Sequence, residues 1–120
     1  MSNRISKIQH NGKLIIVSDW TNIRTVQEAE LVCNETADYV ISLGLKGILE
    51  IVDVRNSFGT AESLMVVKRV AAKTKGISRK KAVVGVSGTR KILLNAVNAF
   101  SKENMVGFET MEEALDWITK

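Results

Sequence analysis

The stretch 85–91, which reads GVSGTRK, combines glycines, hydroxyl groups and two adjacent cations, and these residue types could bind a phosphate. A Walker-type loop requires G-x-x-x-x-G-K-[ST], but Gly85 and Gly88 are only three residues apart and Lys91 precedes an isoleucine. What remains is a helix N-terminus with free N–H groups, hydroxyls and cations, which can hold an anion. The stretch therefore predicts a strand-to-helix turn. Its candidate anion-binding residues are Ser87, Gly88, Thr89, Arg90 and Lys91.

Residues suited to catalysis or metal binding are sparse elsewhere in the chain. His10 is the only histidine, and Cys33 lies on the apolar side of a predicted helix, where a thiol is inert. Cysteine and histidine do not occur at metal-ligand spacing. Asp19 and Asp53 each end a predicted strand, at the edge of an α/β sheet where ligands gather, although aspartate is also a common turn residue there and that interpretation is favoured. We expect a protein that is not an enzyme, with no catalytic residue, metal site or cofactor.

Length and composition predict one globular domain spanning residues 1–120. The chain is 45% hydrophobic and 25% charged, and it is long enough to bury a core without disulfides or metals. A single cysteine cannot form an internal disulfide. The first residues lack the apolar run of a signal peptide, and no stretch approaches the roughly 20 apolar residues of a membrane span. The sequence therefore predicts a cytoplasmic location and no transmembrane segment.

The net charge of +4 is unevenly distributed. Residues 63–102 carry ten basic and no acidic side chains, whereas acidic side chains outnumber basic ones in both flanking segments. Such a block could bind nucleic acid, anionic lipid or an acidic protein surface. Alternatively, its cations only solvate helix faces and are neutralised in space by the acidic ends. The sequence leaves this choice open, but few aromatic side chains are available for stacking, so nucleic acid is the least favoured partner.

Short apolar runs predict four strands, with a fifth at the start of the chain. Continuous apolar runs are typical of strands covered on both faces, and β-branched runs bounded by turn residues are typical of strands in general. The first two runs could form a hairpin across an Asn-Gly turn. The predicted strands are 5–9, Lys13–Asp19, 47–54, 81–86 and Met105–Phe108.

Helical patterns separate these strands. Thr25 with Glu28, and Thr110 with Glu113, have the spacing of capping boxes at helix starts. The predicted helices are 25–43, 61–75, 90–100 and 111–119. Alternation of strands and helices predicts an α/β layer fold with a mostly parallel or mixed central sheet of four to five strands and about four helices.

Two of these helices have unusual surfaces. In the helix from Arg90 to Phe100, apolar residues spread over more than half the circumference, which is more than a surface helix needs. Its surplus edge around Leu94 could therefore form a homodimer or bind a partner. In helix 61–75, Met65 falls among cations, as adaptable contact residues at recognition surfaces do. The alternative for this helix is a solvated amphipathic surface.

The chain resembles the STAS domain, the fold of bacterial anti-sigma factor antagonists, and more closely the SpoIIAA-like group of small bacterial proteins. The resemblance covers residues 12–118 and is carried by GILEIVDV, with Asp53 at the strand end, by KKAVVGVSGTRKILLNAVNAFS and by FETMEEALDWI. It implies a STAS-like fold with a mixed sheet backed by helices. It also implies function by protein–protein contact rather than catalysis.

In the antagonists that this chain resembles, a partner kinase phosphorylates a serine in a D-S-[ST]-G motif after the central strand. The matching stretch here, DVRNSFGTAESL, keeps Asp53 but lacks that motif. Its nearest hydroxyls belong to Ser57, Thr60 and Ser63. Ser57, in the loop, is the better candidate, and a phosphate there would lie beside Arg55.

Together these features predict a non-enzymatic, STAS-like interaction or regulatory module of the bacterial cytosol. The alternative is a carrier or sensor of a small anionic or lipid-like ligand, bound at the turn from Ser87 to Lys91 and the adjacent apolar helix. The candidate partner surface comprises Asp53, Asn56, Ser57, Thr60, Met65, Arg69 and Lys73.

Overall fold

The fold is given by a computed structural model that describes residues 4–57, 65–66, 69, 72–74, 76–88, 91–92, 94–95, 98 and 105–120. Five strands form one sheet. They are β1 (Ile5–His10), β2 (Lys13–Asp19), β3 (Ile48–Asp53), β4 (Ser78–Val84) and β5 (Met105–Phe108). Two helices are described from end to end, α1 (Val26–Ser42) and α2 (Met111–Ile118), together with a 3-10 turn at Ala72–Thr74.

The strands lie in the order β1-β2-β3-β4-β5. β1 and β2 pair antiparallel, and the other three pairings are parallel. The hairpin turn at Asn11 and Gly12 has φ angles of 53° and 76°, as the two central residues of a type I′ turn require. The predicted mixed, mostly parallel sheet of four to five strands is therefore confirmed.

Helices cover both faces of the sheet. On one face, α1 packs with Trp20, Ile23 and the helical residue Val66, all buried. On the other face, α2 packs against the middle of β2, β3 and β4. The buried residues of that second core are Ile15, Leu49, Ile51, Ala82, Val84, Ala114 and Ile118. The parallel strands are covered on both faces, which explains their nearly continuous apolar runs.

The threonine half of both predicted capping boxes is present, and each glutamate carboxylate accepts from the threonine hydroxyl. The Thr25 hydroxyl oxygen accepts from the Glu28 N–H at 3.1 Å, and that of Thr110 accepts from the Glu113 N–H at 3.2 Å. These bonds satisfy N–H groups that have no partner inside the first turn. The threonines therefore fix where α1 and α2 begin.

The expected number of about four helices is not confirmed, because two are described from end to end. Of the predicted helix 61–75, positions 65, 66 and 69 are helical and 72–74 form the 3-10 turn; of the helix 90–100, positions 91, 92, 94, 95 and 98 are helical. The rest of both segments lies outside the described residues. No helix in the described ranges is long and apolar enough to cross a membrane.

The predicted strand 81–86 is displaced: β4 begins at Ser78 and ends at Val84. Its polar first half has partners inside the fold. Lys80 lies over the Trp117 ring, with the ammonium 4.8 Å from the ring centroid, and Lys81 lies opposite Glu50 of β3. The polar residues Ser78, Arg79 and Lys80 therefore concealed the start of the strand.

Candidate interaction surface

Asp53 and Arg55 form a hydrogen-bonded corner where β3 ends. Arg55 donates from Nε to Asp53 Oδ1 at 2.9 Å and from Nη2 to Oδ2 at 2.6 Å, while its backbone N–H also reaches Oδ1 at 3.1 Å. The hydrogen bond and the charge of Asp53 raise the pKa of the Arg55 guanidinium. The aspartate side chain is only 7% exposed, whereas that of the arginine is 53% exposed. The corner thus presents an oriented cation to solvent, with its counter-charge held beneath it.

Gly85 from the first stretch of the sequence packs against this corner. Its φ is +94°, and a Cβ added there would lie 2.7 Å from Arg55 Cγ and 3.0 Å from the Arg55 nitrogen. Its N–H donates to the Phe108 carbonyl at 2.8 Å. A glycine in this position lets the loops after β3 and β4 approach each other. Close packing therefore accounts for this glycine without a phosphate.

The loops after β2 and β3 are joined directly. Asn56 donates from its side-chain amide to the Asn22 side-chain oxygen at 2.9 Å, and both residues have a φ of 63°. Asparagine is one of the few residues other than glycine that adopt this conformation readily. Asp19, at the end of β2, accepts from the Thr21 N–H at 2.8 Å and the Thr21 hydroxyl at 2.6 Å. Asp19 therefore serves as a turn residue.

The structure places Ser57 poorly for phosphorylation. The residue is 6% exposed, and its hydroxyl donates to the Val54 carbonyl at 2.8 Å. A kinase could reach that hydroxyl only after the loop opened. Thr60 and Ser63, the other hydroxyls considered, lie outside the described residues.

Two of the three remaining predicted contact residues, Arg69 and Lys73, reach α1. Met65 is 60% exposed. Arg69 is 3.4 Å from a carboxylate oxygen of Glu30, and Lys73 donates to the Asn34 side-chain oxygen at 3.2 Å. Both cations are exposed and reach α1 through their tips. Arg69 and Lys73 thus contact α1, Arg69 as half of an exposed ion pair, and Met65 stays a predicted contact residue.

At the predicted anion turn, Ser87, Gly88 and Lys91 are exposed. The Lys91 N–H already donates to the Gly88 carbonyl at 3.1 Å. Thr89 and Arg90 lie outside the described residues. Anion binding at this turn stays a prediction.

The helical segment after that turn is partly used inside the molecule. A Cβ on Gly107 would lie 3.0 Å from Leu94 and 2.8 Å from Val86, so both side chains pack directly over this glycine of β5. Leu94 is half-buried, whereas Ile92 is 70% exposed. The edge expected around Leu94 therefore contacts the chain's own sheet. Dimerisation through this helix remains a prediction resting on Ile92.

Part of the basic block is neutralised within the fold. Lys81 is buried, with its ammonium 3.8 Å from Glu50 and donating to Thr74 at 3.2 Å, and Ser78 donates its hydroxyl to the same glutamate. Lys80 donates to the Trp117 carbonyl at 3.3 Å. Lys81 thereby links β4 to β3 and to the 3-10 turn, and Lys80 links β4 to α2. The arrangement favours the interpretation of the block as structural at these positions.

Cys33 is buried, and that burial raises the pKa of its thiol. Such a thiol is a poor nucleophile and a poor metal ligand. His10, half-buried, ends β1 beside the hairpin turn. Among the described residues, no three of His, Cys, Asp and Glu lie together as a metal-ligand set.

Comparison with solved structures identifies the fold. The chain is similar to an uncharacterised protein of the DUF3478 family, with a SpoIIAA-like fold, from Shewanella loihica PV-4. The TM-score is 0.72, and the match covers 95% of this chain and 91% of that one at 14% identity. No family model matches the chain, and no curated protein matches it either. The protein therefore has a SpoIIAA-like α/β fold, as the sequence resemblance implied.

Proposed function

We propose that the protein is a non-enzymatic, STAS-like interaction module that acts as a regulator or scaffold in the bacterial cytosol. The observation that carries the proposal is the Asp53–Arg55 corner, because its bidentate ion pair orients an exposed guanidinium at the end of the central strand. Arginine held in this way loses little side-chain entropy on binding and is favoured at interface centres. The similarity of fold over nearly the whole chain supports the same conclusion.

The contact surface of this module comprises the corner, the loop bridge beside it and the exposed methionine. Its described members are Asn22, Arg55, Asn56, Met65 and Arg69, while Lys73, which reaches the middle of α1, stays a predicted contact beside it. We call this set the carboxyl-edge surface. Asp53 and Ser57 belong to it only as buried supports, since they are 5% and 6% exposed.

Capture from lysate tests the proposal. Tagged protein is incubated with a lysate of the organism that produces it, at low and at high salt, and bound proteins are quantified. We expect a near-stoichiometric partner that is lost when Met65→Glu and Arg69→Glu are combined. Glu112→Lys is the matched control, because Glu112 is exposed on α2. If no protein is captured at either salt concentration, or if both variants retain it equally, the proposed surface is wrong.

A further inference from the structure

An open groove of about 300 Å³ lies at the amino-terminal end of the parallel strands, opposite the end that carries Asp53. Buried Ile16 and Ile48 line it together with Leu14 and Leu45, whose exposed fractions are 39% and 50%. Exposed aliphatic side chains around a concave surface are typical of a binding site. The groove therefore differs from the surrounding polar surface in both shape and chemistry.

Three cations line the same groove. Lys13 is the first residue of β2, Lys46 lies two residues before β3, and Arg79 is the second residue of β4. All three are exposed. Among the described residues that line the groove there is no carboxylate, and no ion pair to a described residue involves any of the three. The groove therefore carries concentrated positive charge beside its apolar floor.

This arrangement contrasts with the other cations of the chain. Lys81 pairs with Glu50, and Arg69 lies beside Glu30. Positive charge that is not matched within the described fold coincides here with exposed leucines. That coincidence selects an occupant with both negative charge and an aliphatic group.

We propose that this groove docks a segment of a partner protein that carries acidic side chains around an aliphatic one. The aliphatic side chain would lie between Leu14 and Leu45, and the carboxylates would face Lys13, Lys46 and Arg79. Sites for small molecules usually enclose most of the ligand surface. An open groove suits a chain segment that crosses it. This second surface lies at the opposite end of the sheet from the carboxyl-edge surface and is independent of it.

A titration with synthetic peptides tests the proposal on the full chain. The probe is the acetylated and amidated peptide Glu-Leu-Asp-Glu-Leu-Glu, added to ¹⁵N-labelled protein at 50 mM salt and followed by amide chemical shifts. One control peptide has serine in place of both leucines, and another has amides in place of all carboxylates. We expect shifts centred on residues 45–49, and affinities at least tenfold weaker for both control peptides.

Variants of the protein separate the two parts of the site. Combined Lys46→Glu and Arg79→Glu should weaken probe binding at least tenfold, and Leu45→Ser should weaken it at least threefold. These side chains are exposed, so the variants are expected to fold, and their amide spectra verify this. Arg24→Glu is the matched control, since it reverses an exposed cation outside the groove and should change the affinity less than twofold.

Four outcomes would overturn the proposal. The first is equal binding of all three peptides, and the second is an affinity that the groove variants leave unchanged. The third is shifts at residues 45–49 with laurate or phosphatidylglycerol vesicles but not with the probe, which would assign the groove to an amphiphile or a membrane. The fourth is concentration-dependent shifts there without probe, which would assign it to a second copy. None of these outcomes depends on the Met65→Glu and Arg69→Glu capture experiment, so the two proposals fail separately.

Discussion

The side-chain amide of Asn98 satisfies both main-chain groups of Met105, the first residue of β5. Its Nδ2 donates to the Met105 carbonyl at 2.9 Å, and its Oδ1 accepts from the Met105 N–H at 2.9 Å. A helical residue thereby fixes the start of a strand that is only four residues long. Because the two groups would otherwise need other partners, this amide is a structural determinant of the sheet edge.

Asn98→Ala should lower the free energy of unfolding by about 1–3 kcal/mol, because two half-buried hydrogen bonds are lost. Chemical denaturation measures the change. Asn95→Ala is the matched control, since Asn95 is an exposed helical residue of the same segment and should change stability by less than about 0.5 kcal/mol. Equal effects of the two substitutions would show that the Asn98 amide has no special role.

Gly85→Ala should destabilise the fold by about 2–4 kcal/mol, since it combines a strained positive φ with a clash against Arg55. Gly44→Ala is the control for strain alone, because Gly44 has a φ of +65° with open space around it, and about 1 kcal/mol is expected there. The difference between the two unfolding free energies reports the close packing at the corner. If both substitutions cost the same, the loops after β3 and β4 are not in tight contact.

The buried pair of Glu50 and Lys81 should show strong coupling in a double-mutant cycle. Replacing either residue alone, as in Glu50→Gln or Lys81→Met, leaves a buried charge without its partner and should cost about 3–5 kcal/mol. Combined replacement should cost clearly less than the sum. The exposed pair of Arg69 and Glu30, treated in the same way with alanine, should show a coupling below about 1 kcal/mol. Additive effects at the buried pair would contradict its assignment as a unit.

Stability should fall at alkaline pH because of Cys33. Burial is the main cause of its raised pKa, while the nearby charges of Lys81 and Arg69 act in the opposite direction and that of Glu30 reinforces it. The folded chain therefore keeps the thiol proton above pH ~8.5, where the unfolded chain releases it. The unfolded state then binds fewer protons, so the free energy of unfolding decreases as pH rises.

Between pH 8 and 10 this contribution should amount to about 2 kcal/mol. Urea unfolding of the wild type and of Cys33→Ala across that range isolates it, because all other groups titrate in both proteins. The wild type should lose about 2 kcal/mol more than the variant. Parallel pH profiles would mean that the thiol ionises as readily in the folded state as in the unfolded one.

Features that depend on neighbours in sequence were predictable. The Asn11–Gly12 turn and the threonine caps at Thr25 and Thr110 are local, since each is decided by residues within four positions. The alternation of apolar runs and helical patterns likewise predicted the succession of strands along the chain and a mostly parallel or mixed sheet. Local rules therefore gave most of the sheet.

Features that join distant segments were missed. The sequence indicates no role for Asn98 and places Lys81 among the cations of a basic block, because their partners lie in other elements. The bidentate bond from Arg55 to Asp53 spans only two positions, but charged side chains two apart pair in few backbone conformations. Nothing in the sequence indicated that the loop after β3 adopts one of these conformations. Ser57 was favoured because it lies in a loop, and the structure buries it.

The central claim is that the carboxyl-edge surface binds a protein, and the affinity of the captured partner tests it most directly. Isothermal titration calorimetry should give a dissociation constant at least tenfold larger for Met65→Glu combined with Arg69→Glu than for the wild type. The first substitution removes an apolar contact, and the second reverses a charge. Glu112→Lys should match the wild type within a factor of two. If the double variant binds as tightly as the wild type, the partner does not use the carboxyl-edge surface and the account of this protein as a STAS-like module acting through it is contradicted.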